Sequence, residues 1–213
     1  MVVAPHPDDE SIGCGGTICL HADAGDRVVG VFLTSGELGL KDRPAQEACR
    51  IREREAEAAA EVLGLASLHF LRRRDWYLKD EAELATAQLR TVIAYERPDV
   101  IDFPHEDEWH PDHAASRAIV EASLAGAGLP PVTLLAYEVW TPQSEYDDGR
   151  DITAVMARKL KAVRCHRSQT QQLPYARAVR GLNEFRGAMA WGCRYAEVFK
   201  HQAYRTLKEP PAQ

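Results

Sequence analysis

The chain has 213 residues, 45% hydrophobic and 27% charged, with 32 acidic against 26 basic side chains and a net charge of −6. That profile reads as one ordinary globular domain over residues 1–213 and argues against a nucleic-acid partner, since the densest cationic spot, Arg72-Arg73-Arg74, reads as a solvated loop. Five cysteines without a CxxC pair support neither a disulfide framework nor a zinc knuckle and fit a reducing cytoplasm, and no signal peptide or membrane-length apolar run is present.

In chain order, Val2 to Pro5 reads as a short buried strand that opens almost at the start of the sequence. It runs into His6-Pro7-Asp8-Asp9-Glu10, after which a helix is predicted over 9–25. Gly13, Gly15 and Gly16 weaken that helix, so they imply close approach to a neighbouring strand or a ligand. Arg27 to Thr34 is a second buried strand, followed by the turn-rich Ser35-Gly36-Glu37-Leu38-Gly39. A helix from Pro44 to Leu63, a strand from Leu68 to Leu71 and a helix from Glu81 to Glu96 come next. Val100 to Phe103 is the fourth strand and leads into Pro104-His105-Glu106-Asp107-Glu108-Trp109-His110-Pro111-Asp112-His113, with a helix to about Ala125. Val132 to Trp140 is a fifth strand, 143–151 reads as a polar loop, and Ala154 to Arg164 and Tyr175 to Gly192 read as helices before a frayed tail from about 207. Strand–helix alternation of this kind predicts an α/β fold: a Rossmann-like three-layer sandwich with a mostly parallel sheet of five or more strands in the order 3-2-1-4-5.

Two histidine–acid clusters therefore follow two strands about 100 residues apart, and strand-end loops of a parallel sheet share one edge. His6 and Asp9 are spaced i, i+3, as are His110 and His113. Two histidines and a carboxylate with an open position make a catalytic zinc site. A lone histidine would read as a buried or surface imidazole, but two such clusters on neighbouring loops point to metal. The glycines do not form a dinucleotide loop, because Ile18 stands where the third glycine of GxGxxG belongs.

These residues resemble the PIG-L/LmbE-like family of zinc-dependent N-deacetylases. The resemblance is carried by His6-Pro7-Asp8-Asp9-Glu10 and His110-Pro111-Asp112-His113, supported by Leu33 to Gly39, Arg52-x-x-Glu55, Asp75, His166-Arg167-Ser168-Gln169 and Tyr195-Ala196-Glu197-Val198-Phe199. It implies a zinc ion, replaceable by Fe2+, on His6, Asp9 and His113. It also implies Asp8 as general base, His110 as stabiliser or acid, and Arg52 and Asp75 as substrate-binding positions, in a family that acts on N-acetylglucosaminyl compounds. Some members carry a tyrosine two residues before the first histidine of the second motif; here Glu108 stands there, and Trp109 is the candidate for the substrate mouth.

The expected reaction is removal of an acetyl group from a small N-acetylated amine, with Asp8 taking the proton of the attacking water and a cationic His110 holding the oxyanion. Plainer readings exist for the substrate residues: Arg52 pairing with Glu53 or Glu55 on its helix, Asp75 capping a loop, and Trp76, Tyr77 and Trp109 packing as loop aromatics. A metal phosphoesterase and a non-catalytic metal-containing sugar-binding module are the rival functions. Two histidines with one carboxylate favour zinc over the harder ions of the first, and Asp8, left over once the ligands are counted, speaks against the second. No membrane partner is expected, and the oligomeric state is open, a homo-oligomer included.

Overall fold

The computed structural model describes residues 1–125, 127, 128 and 130–203, so the frayed tail expected from about 207 lies outside the described residues. Seven strands form one sheet: β1 Val2–Ala4, β2 Val29–Thr34, β3 Ser67–Arg73, β4 Val100–Pro104, β5 Thr133–Tyr137, β6 Asp148–Asp151 and β7 Ala196–Gln202. Their order is β3-β2-β1-β4-β5-β7-β6. The five parallel strands follow the expected order, with β1 between β2 and β4.

The sheet then extends beyond the expectation. β7 runs antiparallel to β5, and β6 antiparallel to β7. The segment expected as a polar loop thus contains a strand, Asp-Gly-Arg-Asp, with no apolar alternation to announce it. It lies at the sheet edge and pairs on one side only, a position where backbone pairing rather than side-chain burial makes the strand.

Helices cover both faces. On one lie α1 Asp9–Gly13, α2 Gly15–Asp23, α3 Ala45–Leu63, α6 Met156–Val163 and α8 Tyr175–Arg186; on the other lie α4 Ala82–Glu96 and α5 Pro111–Leu124. A single turn, α7 Arg167–Thr170, joins α6 to α8. Neighbouring residues of β1 serve opposite cores: Val2 packs with Leu63, Tyr137 and Val163, and Val3 with Leu89, Phe103 and Ile119. None of the described helices is long and apolar enough to cross a membrane, and all five cysteines are free.

The helix expected over 9–25 is broken at Cys14 into α1 and α2. The glycines explain the approach. A Cβ on Gly13 would sit 2.3 Å from Tyr137 of β5, and one on Gly16 2.6 Å from Ile152, so this stretch lies against the sheet with no room for a side chain. The helix expected over 175–192 likewise ends at Arg186, and Gly187–Trp191 form a π-helical turn.

The start of α2 is tied to β7 by Glu197, which also forms a buried ion pair with Lys159 of α6. Glu197 accepts the Gly16 and Thr17 amides and the Thr17 hydroxyl, each at 2.7 Å, and the Lys159 ammonium at 2.6 Å. Both Lys159 and Glu197 are sealed from solvent. Glu197→Ala leaves an ammonium and two helix amides without partners. It is expected to lower unfolding free energy by on the order of 3–5 kcal/mol, read by urea denaturation. The paired variant Lys159→Met/Glu197→Gln should lose less, because no unpaired charge stays buried.

Candidate metal centre and reaction pocket

β1 and β4 lie side by side where the strand order reverses, so the loops after them open on one crevice. The first loop supplies His6, Asp8 and Asp9; the second supplies Glu108, Trp109 and His110 and leads into α5. His110 is the N-cap of α5, with Pro111 at the first helical position. This puts Asp112 and His113 on the first turn, pointing back into the crevice toward His6.

Three atoms converge there. His6 Nδ1, Asp9 Oδ2 and His113 Nε2 are each 3.2 Å from the other two. Ligands at 2.0–2.1 Å around a tetrahedral ion stand about 3.3 Å apart, so this triangle fits a single small cation. The second Asp9 oxygen, Oδ1, is not one of the three and is buried without a partner among the described residues, whereas Oδ2 also accepts the His6 amide. His110 also lies within reach of a shared ion with His6 and His113.

The far edge of each of these two imidazoles faces carboxylate. His6 Nε2 is 3.1 Å from Asp75 Oδ1 and 3.2 Å from Asp112 Oδ2, and His113 Nδ1 is 3.5 Å from Glu108 Oε2. The hydrogen bonds at His6 fix its tautomer and turn Nδ1 inward, whereas His113 Nδ1 and Glu108 Oε2 face each other without a hydrogen bond. The carboxylates are themselves anchored. Asp112 accepts the amides of Trp76 and Leu78, Asp75 that of Leu38, and Glu108 Oε1 those of Val139, Trp140 and Thr141. Burial disfavours charge on both histidines, but the carboxylates prevail: Asp112, Asp75 and Asp9 raise His6 well above the usual imidazole range, and Asp9 and Glu108 raise His113 to about 9.

Asp8 stands apart from its neighbour. Its backbone is at φ +135°, a region an L-residue occupies only when held. Glu10 Oε2 accepts its amide at 3.0 Å, and Arg52 Nη2 lies 3.1 Å from its carboxylate while donating to the Pro7 carbonyl at 2.7 Å. Glu10 is held in turn by the Ser11 hydroxyl at 2.6 Å and by His166, 3.3 Å away. Burial raises the Asp8 carboxyl to about 6; Arg52 works against the rise and Asp9 adds to it.

His110 differs from the cationic form expected of it. Its Nδ1 accepts the Asp112 amide at 3.2 Å, which requires a lone pair there and leaves the proton on Nε2. Burial and the nearby His6 and His113 push it down to about 4, so it is neutral near pH 7.

Arg52 pairs with neither Glu53 nor Glu55. Glu53 holds Ser35 and Arg72, Glu55 holds Ser168, and Arg52 crosses to the first loop, keeping only Nε without a partner. Asp8, Arg52, Asp75, Trp76, Trp109, His110, Trp140 and Gln169 line a cavity of about 160 Å³ beside His6. Trp109 is 60% exposed and marks its rim. Sequence reasoning assigned no role to Glu10, Glu108, Asp112 or Trp140. Asp112 had a signal, its place inside His-Pro-Asp-His; Trp140 had none, since only the fold brings it to the crevice.

The family model for PIG-L, GlcNAc-PI de-N-acetylase, matches residues 1–124. A diacetylchitobiose deacetylase from Thermococcus kodakarensis is 35% identical over 92% of this chain and 80% of its own length. The structure of N,N'-diacetylchitobiose deacetylase from Pyrococcus horikoshii, complexed with its inhibitor, superposes with a TM-score of 0.82 at 30% identity, covering 94% of this chain and 82% of that one. A 4-oxalmesaconate hydratase from Pseudomonas putida is also similar, 30% identical over 82% of this chain and 75% of its own. With the family model spanning more than half of the sequence and full-length relatives at this identity, the chain belongs to the PIG-L, GlcNAc-PI de-N-acetylase, family.

Proposed function

We propose that the chain is a zinc-dependent hydrolase that removes the acetyl group from an N-acetylglucosaminyl conjugate. The observation that carries this reading is the triangle of His6, Asp9 and His113 donor atoms at 3.2 Å, with Asp8 left over on the same crevice. Two imidazole nitrogens and one carboxylate oxygen favour zinc, with Fe2+ as the substitute the same donors accept. When bound, the ion supplies a Lewis acid for the acetamide carbonyl and lowers the pKa of a water at its open position.

The side chains divide the remaining work. Asp8 accepts the proton of the attacking water and returns it to the leaving amine, and Arg52 and Glu10 hold it for that exchange. His110, fixed as the Nε2–H tautomer, donates to the carbonyl oxygen as charge builds there. Asp75 and Asp112 act through His6, and Glu108 through His113. The exposed face of Trp109 is left to meet the sugar, with Arg52 and Asp75 on the wall of the cavity beside it. The likeness to a hydratase favours one second reading, in which the same base and ion add water across a carbon–carbon double bond. Amine and acetate release from N-acetylglucosaminyl substrates separates the two, and phosphate release tests the phosphoesterase alternative.

Two outcomes are expected of the purified chain. One zinc should bind per chain; chelation should abolish amine release and added zinc restore it, by elemental analysis and assay side by side. A metal-free chain that stays active would sink the reading. Asp8→Asn should keep its zinc and lose on the order of 10²–10⁴ in rate, whereas Asp9→Asn should lose affinity for zinc. If Asp8→Asn sheds the ion while Asp9→Asn keeps it, the roles of ligand and base are reversed.

A further inference from the structure

The cavity beside His6 is small, about 160 Å³, and shares Trp109 and Trp140 with a second one of about 400 Å³. Both tryptophans line both cavities, so the two adjoin at that pair. The chemistry of the second is different. None of the residues lining it is charged, and Ile12, Val139, Pro142, Leu173 and Val179 give it an apolar wall.

An aromatic strip leads into it from the metal centre. Trp140 stands edge-on to His110, with ring centres 5.8 Å apart, and stacks with Trp109 at 5.1 Å and with Tyr175 at 6.4 Å. The far side offers one unmatched acceptor: Asn183 is 4% exposed, donates Nδ2 to the Ala196 carbonyl, and has no partner for Oδ1 among the described residues.

An acetamide placed at the metal centre brings a sugar ring to the boundary of the two cavities, and whatever that sugar carries must leave along one of its openings. The groove offers stacking surfaces and apolar contact but no cation for an acidic group and no anion for a basic one. Resting on the deacetylase reading above, we infer that this groove is the subsite for the group joined to the N-acetylated sugar, and that this group is an uncharged aryl or alkyl aglycone.

The test compares amine release by the zinc-reconstituted chain from para-nitrophenyl and octyl N-acetylglucosaminides, N,N'-diacetylchitobiose and free N-acetylglucosamine. The aryl and alkyl glycosides should exceed the other two by about tenfold or more in kcat/KM, mainly through KM, as burial of apolar surface predicts. Ala178 is exposed on the groove face of α8, so Ala178→Trp fills the groove from a tolerant position and should bring that ratio near one. Independently of any variant, octyl glucoside should quench tryptophan fluorescence of the unmodified chain saturably. Equal kcat/KM for aryl glycoside and chitobiose, or no saturable quenching, would overturn the inference. So would a chain that self-associates and is split into monomers by Ala178→Trp, since a second copy would then be the groove's occupant. Quenching by octyl glucoside without turnover of any substrate would defeat the deacetylase reading and leave an apolar-glycoside site standing.

Discussion

One carboxylate oxygen, Asp9 Oδ2, sits 3.2 Å from nitrogens of both His6 and His113, and the surrounding structure is arranged to make that contact hold. The same oxygen accepts the His6 amide at 2.9 Å, which ties the first loop to the start of α1. Closing the triangle requires a strand end from residue 4 and a helix start from residue 111 to meet, and only the reversal of strand order between β1 and β4 brings them together. The close approach of the glycine stretch to Tyr137, and the anchoring of α2 by Glu197, hold the first loop at the depth where the two histidines can face each other.

The charge balance around this contact explains its chemistry. Asp8, Asp9, Glu10, Asp75, Glu108 and Asp112 are all buried, and Arg52 is the one permanently charged cation among the site residues described above. Burying so many carboxylates is unfavourable unless each finds a donor or a positive charge. Four meet the need locally: Asp75 and Asp112 take backbone amides and the His6 edge, Asp8 takes Arg52, and Glu10 takes Ser11 and His166, while Glu108 Oε1 takes backbone amides. Asp9 keeps Oδ1 and Glu108 keeps Oε2 without a hydrogen-bond partner among the described residues. The triangle itself is closed by the other Asp9 oxygen, Oδ2, beside a His110 whose Nδ1 accepts the Asp112 amide and whose Nε2 is left as a donor.

The parts legible in the sequence were those governed by local pattern. Short apolar runs gave the five parallel strands, and an i, i+3 spacing at two strand ends made His6, Asp9, His110 and His113 stand out. What escaped was set by contacts distant in sequence. β6 is polar and exists because β7 pairs with it. Glu108 looked like a departure from a family pattern; in the fold it gathers three amides of residues 139–141 and faces His113. Arg52, which on a helix surface would pair with Glu53 or Glu55, instead reaches the first loop, a choice invisible without knowing which way α3 turns its buried face.

The two adjacent aspartates show why the first motif needs its glutamate. Successive residues in an ordinary helical turn would spread their carboxylates around one cylinder, with no reason for Asp8 to stay in the crevice once Asp9 had entered it. The backbone at Asp8 breaks that geometry with φ +135° and places its carboxylate against Arg52. A conformation of that kind costs roughly 1–3 kcal/mol for a residue with a side chain, so something must oppose its relaxation. The Glu10 carboxylate does so by taking the Asp8 amide, and α1 begins immediately afterwards at Asp9, so the kink cannot spread along the chain. Ser11 and His166 then restrict Glu10 itself. The separation of the two carboxylates is therefore a property of the backbone, enforced by a third carboxylate, and not of the rotamers of Asp8 and Asp9.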